Sequence, residues 1–258
     1  MHSKNICKFC GQNKKLIKAH IIPRHFYLDY KDEQYVSVNS LSGKFKIQQS
    51  GAYDKNVLCL DCDSKILGQF DKEGYRVLFD ELKKHKLNKI GNDIIYYLTS
   101  KDCNSEYLRK FFISILWRAS ISCLPDFKDI SLGEYQQKAL EILQGKELYD
   151  NLFKIFIFKY PGGKDFNKFI FISKAKFYNR KAYIINMAGY FITIILNGRN
   201  LIFNYKLHYI SEMIVNNKGF YVVESNELYS QNYHFANKKM QEMWMKGYKP
   251  PFAPKVKK

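Results

Sequence analysis

Four of the six cysteines fall into two Cys-x-x-Cys pairs, Cys7-Lys8-Phe9-Cys10 and Cys59-Leu60-Asp61-Cys62. Two intervening residues let both sulfurs of a pair point at one ion, while amides in the turn stabilise the thiolates. Two such knuckles in a chain with no export signal predict a structural Zn²⁺ site rather than disulfides. A redox dithiol would need only one pair and a thioredoxin-like setting, and neither fits this pattern. Cys103 and Cys123 have no partner at useful spacing and read as buried apolar fillers.

The first knuckle is followed by Lys18-Ala19-His20-Ile21-Ile22-Pro23-Arg24, and the second is approached through Tyr53-Asp54-Lys55-Asn56-Val57-Leu58 and followed by Asp63. The order of these parts (Cys-x-x-Cys, His-Ile-Ile-Pro, Asn, Leu-Cys-x-x-Cys, Asp) resembles the His-Asn-His (HNH) endonucleases, which carry a ββα-metal hairpin braced by a four-cysteine zinc. The likeness covers residues 5–70, about a quarter of the chain. It implies that His20 is the general base that activates water, that Asn56 holds the histidine and hairpin in place, and that Asp63 binds the catalytic ion. That ion would be Mg²⁺ or Mn²⁺, a hard cation suited to carboxylate and phosphate oxygens. A neutral imidazole near pH 7 suits the task given to His20. The family's activity is cleavage of nucleic acid, DNA in the first instance, leaving 5′-phosphate and 3′-hydroxyl ends, and proteins of this size often serve bacterial defence or mobile elements. A later stretch, Phe111 to Ser120 with Leu132-Gly133, is similar to the middle of many bacterial HNH-like proteins and implies no chemistry.

One position departs from the family pattern. Where relatives place an acid or a histidine directly before the catalytic histidine, this chain has Ala19. Asp54 on the opposing strand is the first replacement ligand to consider, with Asp61 and Asp71 weaker, and His20 as a ligand with His25 as base is a further arrangement. Without a replacement the unit reads as a non-catalytic zinc ribbon that binds nucleic acid or a protein. Simpler roles also stand open at each position: a hydrogen-bonded core histidine at His20, a turn residue at Asn56, a helix N-cap at Asp63. His85, His208 and His234 read as surface or packing residues.

Charge points to a polyanionic partner. The 42 basic and 24 acidic residues give a net +18, and a positive surface gains affinity from phosphate through counterion release. Only six of the basic residues are arginine, a lysine weighting that an AT-rich genome would also write; that bias does not explain the shortage of acids. Lys14, Lys15, Lys18 and Arg24 flank the histidine segment and are the candidate phosphate contacts, with a solvated basic face as the plainer alternative. The longest apolar stretches, residues 111–124 and 187–196, are too short or interrupted to span a bilayer, and no apolar leader is present at the N-terminus, so the expectation is a soluble cytoplasmic protein without membrane contact.

These side chains need elements to hold them. Residues 16–22 read as a strand, residues 34–38 and 44–48 as a hairpin turning at residues 39–43, and residues 53–58 as an extended lead into the second knuckle. A helix follows, capped by Asp63 or Ser64 and carrying Ile66, Leu67, Phe70, Tyr75, Val77, Leu78, Phe79 and Leu82. Asn104 or Ser105 opens a second amphipathic run ended by Pro125, and a third helix over residues 132–143 stops at Gly145. From residue 152 the period changes to two, with strands expected at 153–159, 169–174, 182–187 and 190–196, and weaker ones at 201–205 and 219–223. The expected class is α+β: a zinc-braced HNH-like unit over residues 1–100, a helical scaffold over 101–150, an antiparallel β-rich region over 151–236, and a basic, proline-containing tail over 237–258. The β-rich region would select substrate or make contact with a protein partner or a second copy.

Overall fold

The computed structural model describes residues 5–27, 35–38, 45–48, 51–85, 88–90, 93–146, 152–161, 169–177, 179–197 and 219–225. The turn expected at residues 39–43, the strand at 201–205, His208, His234 and the basic tail lie outside them. The class is α+β, as expected.

The first two short strands, β1 (Ala19–His20) and β4 (Tyr53–Asp54), pair antiparallel as a sheet of their own, while β2 (Tyr35–Val38) and β3 (Phe45–Gln48), which lie between them in the chain, form the expected hairpin with Tyr35 opposite Gln48. The strand read over residues 16–22 is reduced to β1 and a single bridge between Leu16 and Cys59. After the second knuckle the chain is continuously helical: a π-helical stretch Asp61–Leu67, then α1 (Gly68–Tyr75), a second π-helical stretch Arg76–Glu81 and a short 3-10 turn Leu82–Lys84. Neither Asp63 nor Ser64 caps this run. It starts earlier, at Leu60, with no side-chain cap, so Asp63 sits in the first turn and its amide bonds to the Cys59 carbonyl.

Helix α2 (Ser105–Ile121) opens as the sequence suggests, with the Asn104 side chain accepting from the Tyr107 amide at 3.0 Å. Every residue from Leu108 to Ala119 is buried, because α1, α3 (Tyr135–Leu143) and the sheet enclose it. Gly74 permits the closest of these approaches. A Cβ at that position would lie 2.4 Å from the Phe111 ring, so only a glycine lets α1 rest flat against α2 there. Phe26 also stacks on Phe111, with ring centroids 5.2 Å apart, and so ties the segment after β1 to the same core. Helix α3 ends just before Gly145, whose φ of 71° suits a residue without a side chain.

Among the described residues, nine strands form the large sheet, in the order β3-β2-β8-β9-β10-β7-β11-β6-β5. Its centre is β7 (Phe153–Lys159), β8 (Phe169–Phe177), β9 (Arg180–Met187) and β10 (Tyr190–Leu196), paired antiparallel as the alternating aromatic and β-branched runs require. Ala188 and Gly189, both at positive φ, make the two-residue turn that sets Met187 opposite Tyr190. The sheet as a whole is mixed. β11 (Gly219–Glu224) runs parallel to β7, and β2 runs parallel to β8, which joins strands from the N-terminal hundred residues to those of the C-terminal half. A further hairpin, β5 (Asn88–Ile90) with β6 (Asp93–Thr99), completes the other edge by pairing with β11. The sequence reading missed this hairpin, although Gly91-Asn92 ahead of an Ile-Ile-Tyr-Tyr-Leu-Thr run is a usable signal. Ile155, Ile157, Ile185, Met187, Ile192 and Ile194 alternate on to one face, where they join the helices in a common core.

Gly74→Ala is expected to reduce stability by roughly 1–3 kcal/mol, the cost of forcing a methyl into a filled contact. Urea unfolding of wild type and variant measures it; an unchanged midpoint would contradict the packing of α1 on α2 at Phe111.

Candidate functional site

The sulfurs of Cys7, Cys10, Cys59 and Cys62 all lie within 4.8 Å of one another. Tetrahedral Zn–S bonds of about 2.3 Å place sulfurs roughly 3.8 Å apart, so one ion fits among these four with small adjustments. Local backbone bonds build each knuckle. The Cys7 amide donates to the Gln12 carbonyl and the Gly11 amide to the Cys7 carbonyl, with Gly11 at φ 70° closing the turn. The two knuckles are joined by Lys8 N–H to Val57 C=O, Ile17 N–H to Leu58 C=O, and the Cys59 amide pointing at the Cys7 sulfur at 3.4 Å. Burial works against the Cys7 thiolate, but the amides of Cys10, Cys59 and Phe9 outweigh it and bring its pKa down to about 7. Burial, with hydrogen bonds to Cys59 and Cys10, drives Cys62 far up. Four thiolates cannot share this space without a cation, and an ion such as Zn²⁺ would supply it. The knuckle docks on the helices through Phe9, whose ring meets Trp117 edge-on at 5.8 Å and whose carbonyl accepts from Gln144 at 2.6 Å.

Directly beside the knuckles, β1 and β4 set Ala19 opposite Asp54 and His20 opposite Tyr53. Ala19 is fully buried, so no ligand could replace it without displacing core. The His20 ring lies 5.9 Å from the Tyr53 ring, and Lys18 sits over that tyrosine ring at 5.4 Å. The Asp54 carboxylate is occupied: Oδ1 accepts from the Asn56 amide at 2.9 Å, and Oδ2 accepts from Ser122 Oγ at 2.9 Å and the Cys123 amide at 2.7 Å. Its role is to brace the hairpin rather than to present a free ligand. Asp54 also engages the Asn56 amide, and the Asn56 residue is exposed.

The helical run supplies the carboxylates. Burial pushes Asp63 up to about 6, with the Arg118 charge pulling against it and Asp71 adding to it. Asp71, one turn into α1, is engaged at both oxygens by Arg118: Nη1 to Oδ2 at 3.1 Å and Nη2 to Oδ1 at 2.7 Å. Burial raises the Asp71 carboxyl, and Arg118, His25 and His20 all act to lower it, so both imidazoles lie within its field. Arg118 also donates to the His20 carbonyl at 3.2 Å, to the Ser114 carbonyl at 3.3 Å and to Ser114 Oγ at 3.0 Å. Asp61 faces away from this group, paired with Lys14 at 3.3 Å and Lys65 at 2.8 Å. Of the candidate phosphate contacts, Lys14 is therefore taken up, while Lys15, Lys18 and Arg24 are exposed, as is His25.

His20, Asp63 and Asp71 are thus gathered around Arg118, and Asp54 and Asn56 belong to the support behind them. Arg118 and Asp71 in these roles were not read from the sequence. A signal was present: Ser114, Arg118 and Ser122 recur every four residues, a polar line on one face of a buried helix. Cys123, expected to be buried, is exposed, whereas Cys103 is buried as expected. Among the described residues, the four cysteines are the one set of three or more His, Cys, Asp or Glu side chains close enough to share an ion. Zn²⁺ fits that set. Among the described residues no preassembled site for Mg²⁺ or Mn²⁺ is found: Ala19 offers no donor, Asp54 and Asp71 are engaged, and of the candidate carboxylates here Asp63 is left. Among the described residues no helix is long and apolar enough to cross a membrane.

Comparison with protein families, with curated proteins and with solved structures gave no significant match.

Purified protein is expected to carry one zinc per chain, and removing it by strong chelation, or by Cys59→Ala, should abolish the cooperative unfolding of the N-terminal region, since structural zinc contributes on the order of 10 kcal/mol. Metal analysis and thermal unfolding followed by tryptophan fluorescence (Trp117 reports on the knuckle) check this; a metal-free chain with an unaltered transition would contradict it.

Proposed function

We propose that the zinc-braced unit is an HNH-like phosphodiester hydrolase acting on nucleic acid, DNA in the first instance, with His20 as its general base. The observation that carries this reading is the grouping itself. A two-strand hairpin presents His20, the helical run emerging from the second knuckle brings Asp71 within its field and carries Asp63 in the field of Asp71 and Arg118, and a four-cysteine cluster lies at the base of both. The ββα order with a four-sulfur brace is that of the resemblance set out above. Exposed Lys15, Lys18 and Arg24 beside the hairpin, in a chain of net +18, suit a phosphate backbone.

In this reading the side chains divide the work. Lys15, Lys18 and Arg24 attract and orient the backbone, His20 takes the proton from the attacking water, and the Asp54 and Arg118 bonds keep its strand in place. A divalent ion, when bound with substrate, would supply charge neutralisation at the scissile phosphate, and Asp63 is the carboxylate left to hold it. A second reading, a zinc ribbon that binds nucleic acid without cutting it, is favoured by buried Ala19 and by the Asp71 oxygens already given to Arg118.

Incubation with supercoiled plasmid, with Mg²⁺, with Mn²⁺ and with neither, should show nicking by wild type and a loss of at least about 10²-fold in His20→Ala. DNA binding by both proteins, measured by fluorescence anisotropy, should be similar. Equal, background-level cleavage with retained binding would overturn the hydrolase in favour of the binding module.

A further inference from the structure

Arg118 is an unusual residue to find where it lies. It is 1% exposed, in a helix whose neighbours are Trp117, Leu116 and Ala119, yet its guanidinium bonds to two other parts of the fold and to its own helix. A buried cation of this kind costs several kcal/mol in lost hydration unless it is paired and its donors are satisfied. Here Asp71 supplies the charge through a two-point contact, Ser114 takes two more bonds, and the remaining contact goes to the peptide oxygen of His20. Replacing the whole arrangement with apolar side chains would cost little stability in most proteins, so stability alone is a poor account of it.

The placement of the contact is informative. His20 is held on one side by strand pairing with Tyr53 and on the other by Arg118 at its own carbonyl, immediately before Ile21 bonds to Ala52. One turn further along α2, Ser122 and the Cys123 amide hold Asp54, the residue paired with Ala19 across the hairpin. Both strands of a hairpin only two residues deep are therefore gripped by the end of one buried helix.

We infer that Arg118 is a positioning residue for His20, fixing the peptide from which the imidazole projects, with Asp71 serving to neutralise the guanidinium. This rests on the reading of His20 as the base. A misplacement of about 1 Å at such a group costs on the order of 10²-fold in rate with substrate binding preserved.

The test separates position from stability. Arg118→Met leaves Asp71 as a buried unpaired charge and should unfold readily; Arg118→Met combined with Asp71→Asn removes both charges and should recover zinc content and thermal stability close to wild type. The double variant is nevertheless expected to lose roughly 10²-fold in kcat on plasmid with KM within about twofold, and to show shifted or broadened His20 ring signals in ¹H–¹³C NMR. Arg118→Lys, which keeps the charge but not the fork, should show the same kcat-specific loss and carries the test if the double variant does not fold. Recovery of activity together with stability, with unchanged His20 signals, would overturn the inference and leave the hydrolase standing. No cleavage by wild type, equal to His20→Ala, would overturn the hydrolase and the inference with it.

Discussion

Four sulfurs drawn to a single point are the constraint on which the N-terminal unit depends. Cys7 and Cys59 are 52 residues apart, yet the amide of one points at the sulfur of the other. The strands this junction supports, β1 and β4, have two residues each, far too few to hold together in water by their own hydrogen bonds. Nor does the helical run beyond the second knuckle have a side-chain cap to start it. An ion held by the four cysteines would replace both missing local terms: it would fix the strand ends and, because Cys62 belongs to the first helical turn, also where that helix begins.

The four-cysteine cluster is not sufficient by itself. A knuckle sets the base of the hairpin, whereas the orientation of its tip depends on α2. Phe9 against Trp117 docks the metal loop on that helix, Phe26 against Phe111 docks the segment after His20, and the polar line through Ser114, Arg118 and Ser122 reaches both strands between these apolar contacts. The core thereby couples zinc loop, hairpin and helix, and the large sheet lies under the same helices. Strands β2 and β3, which sit between the two knuckles in the chain, extend that sheet, so the region around the zinc and the C-terminal half are parts of one hydrogen-bonded structure.

Much of this was legible because it was local. Knuckle spacing, the Asn104 cap, the Gly145 stop and the alternating strands β7 and β10 depend on residues close in sequence, and each stands where the pattern places it. The parts that were not legible depend on partners far apart in the chain. No local rule pairs Arg118 with Asp71, or gives Asp54 to Ser122 and Cys123, because each arises only when α2 is packed against the hairpin. The same holds for the parallel joins of β2 to β8 and β11 to β7. Asp63 misled the sequence reading as a cap for a related reason: the helix starts on the metal ligands themselves, so the usual capping chemistry is not needed. Asn56 was assigned by likeness of order, and its amide donates to a carboxylate two residues earlier.

The most direct measurement is zinc K-edge X-ray absorption on protein purified without added metal. A first shell of four sulfurs at about 2.3 Å, with no nitrogen or oxygen neighbour, is the result that these four side chains require. A shell containing histidine or carboxylate ligands, or fewer than four sulfurs, would contradict the arrangement from which the position of His20 follows.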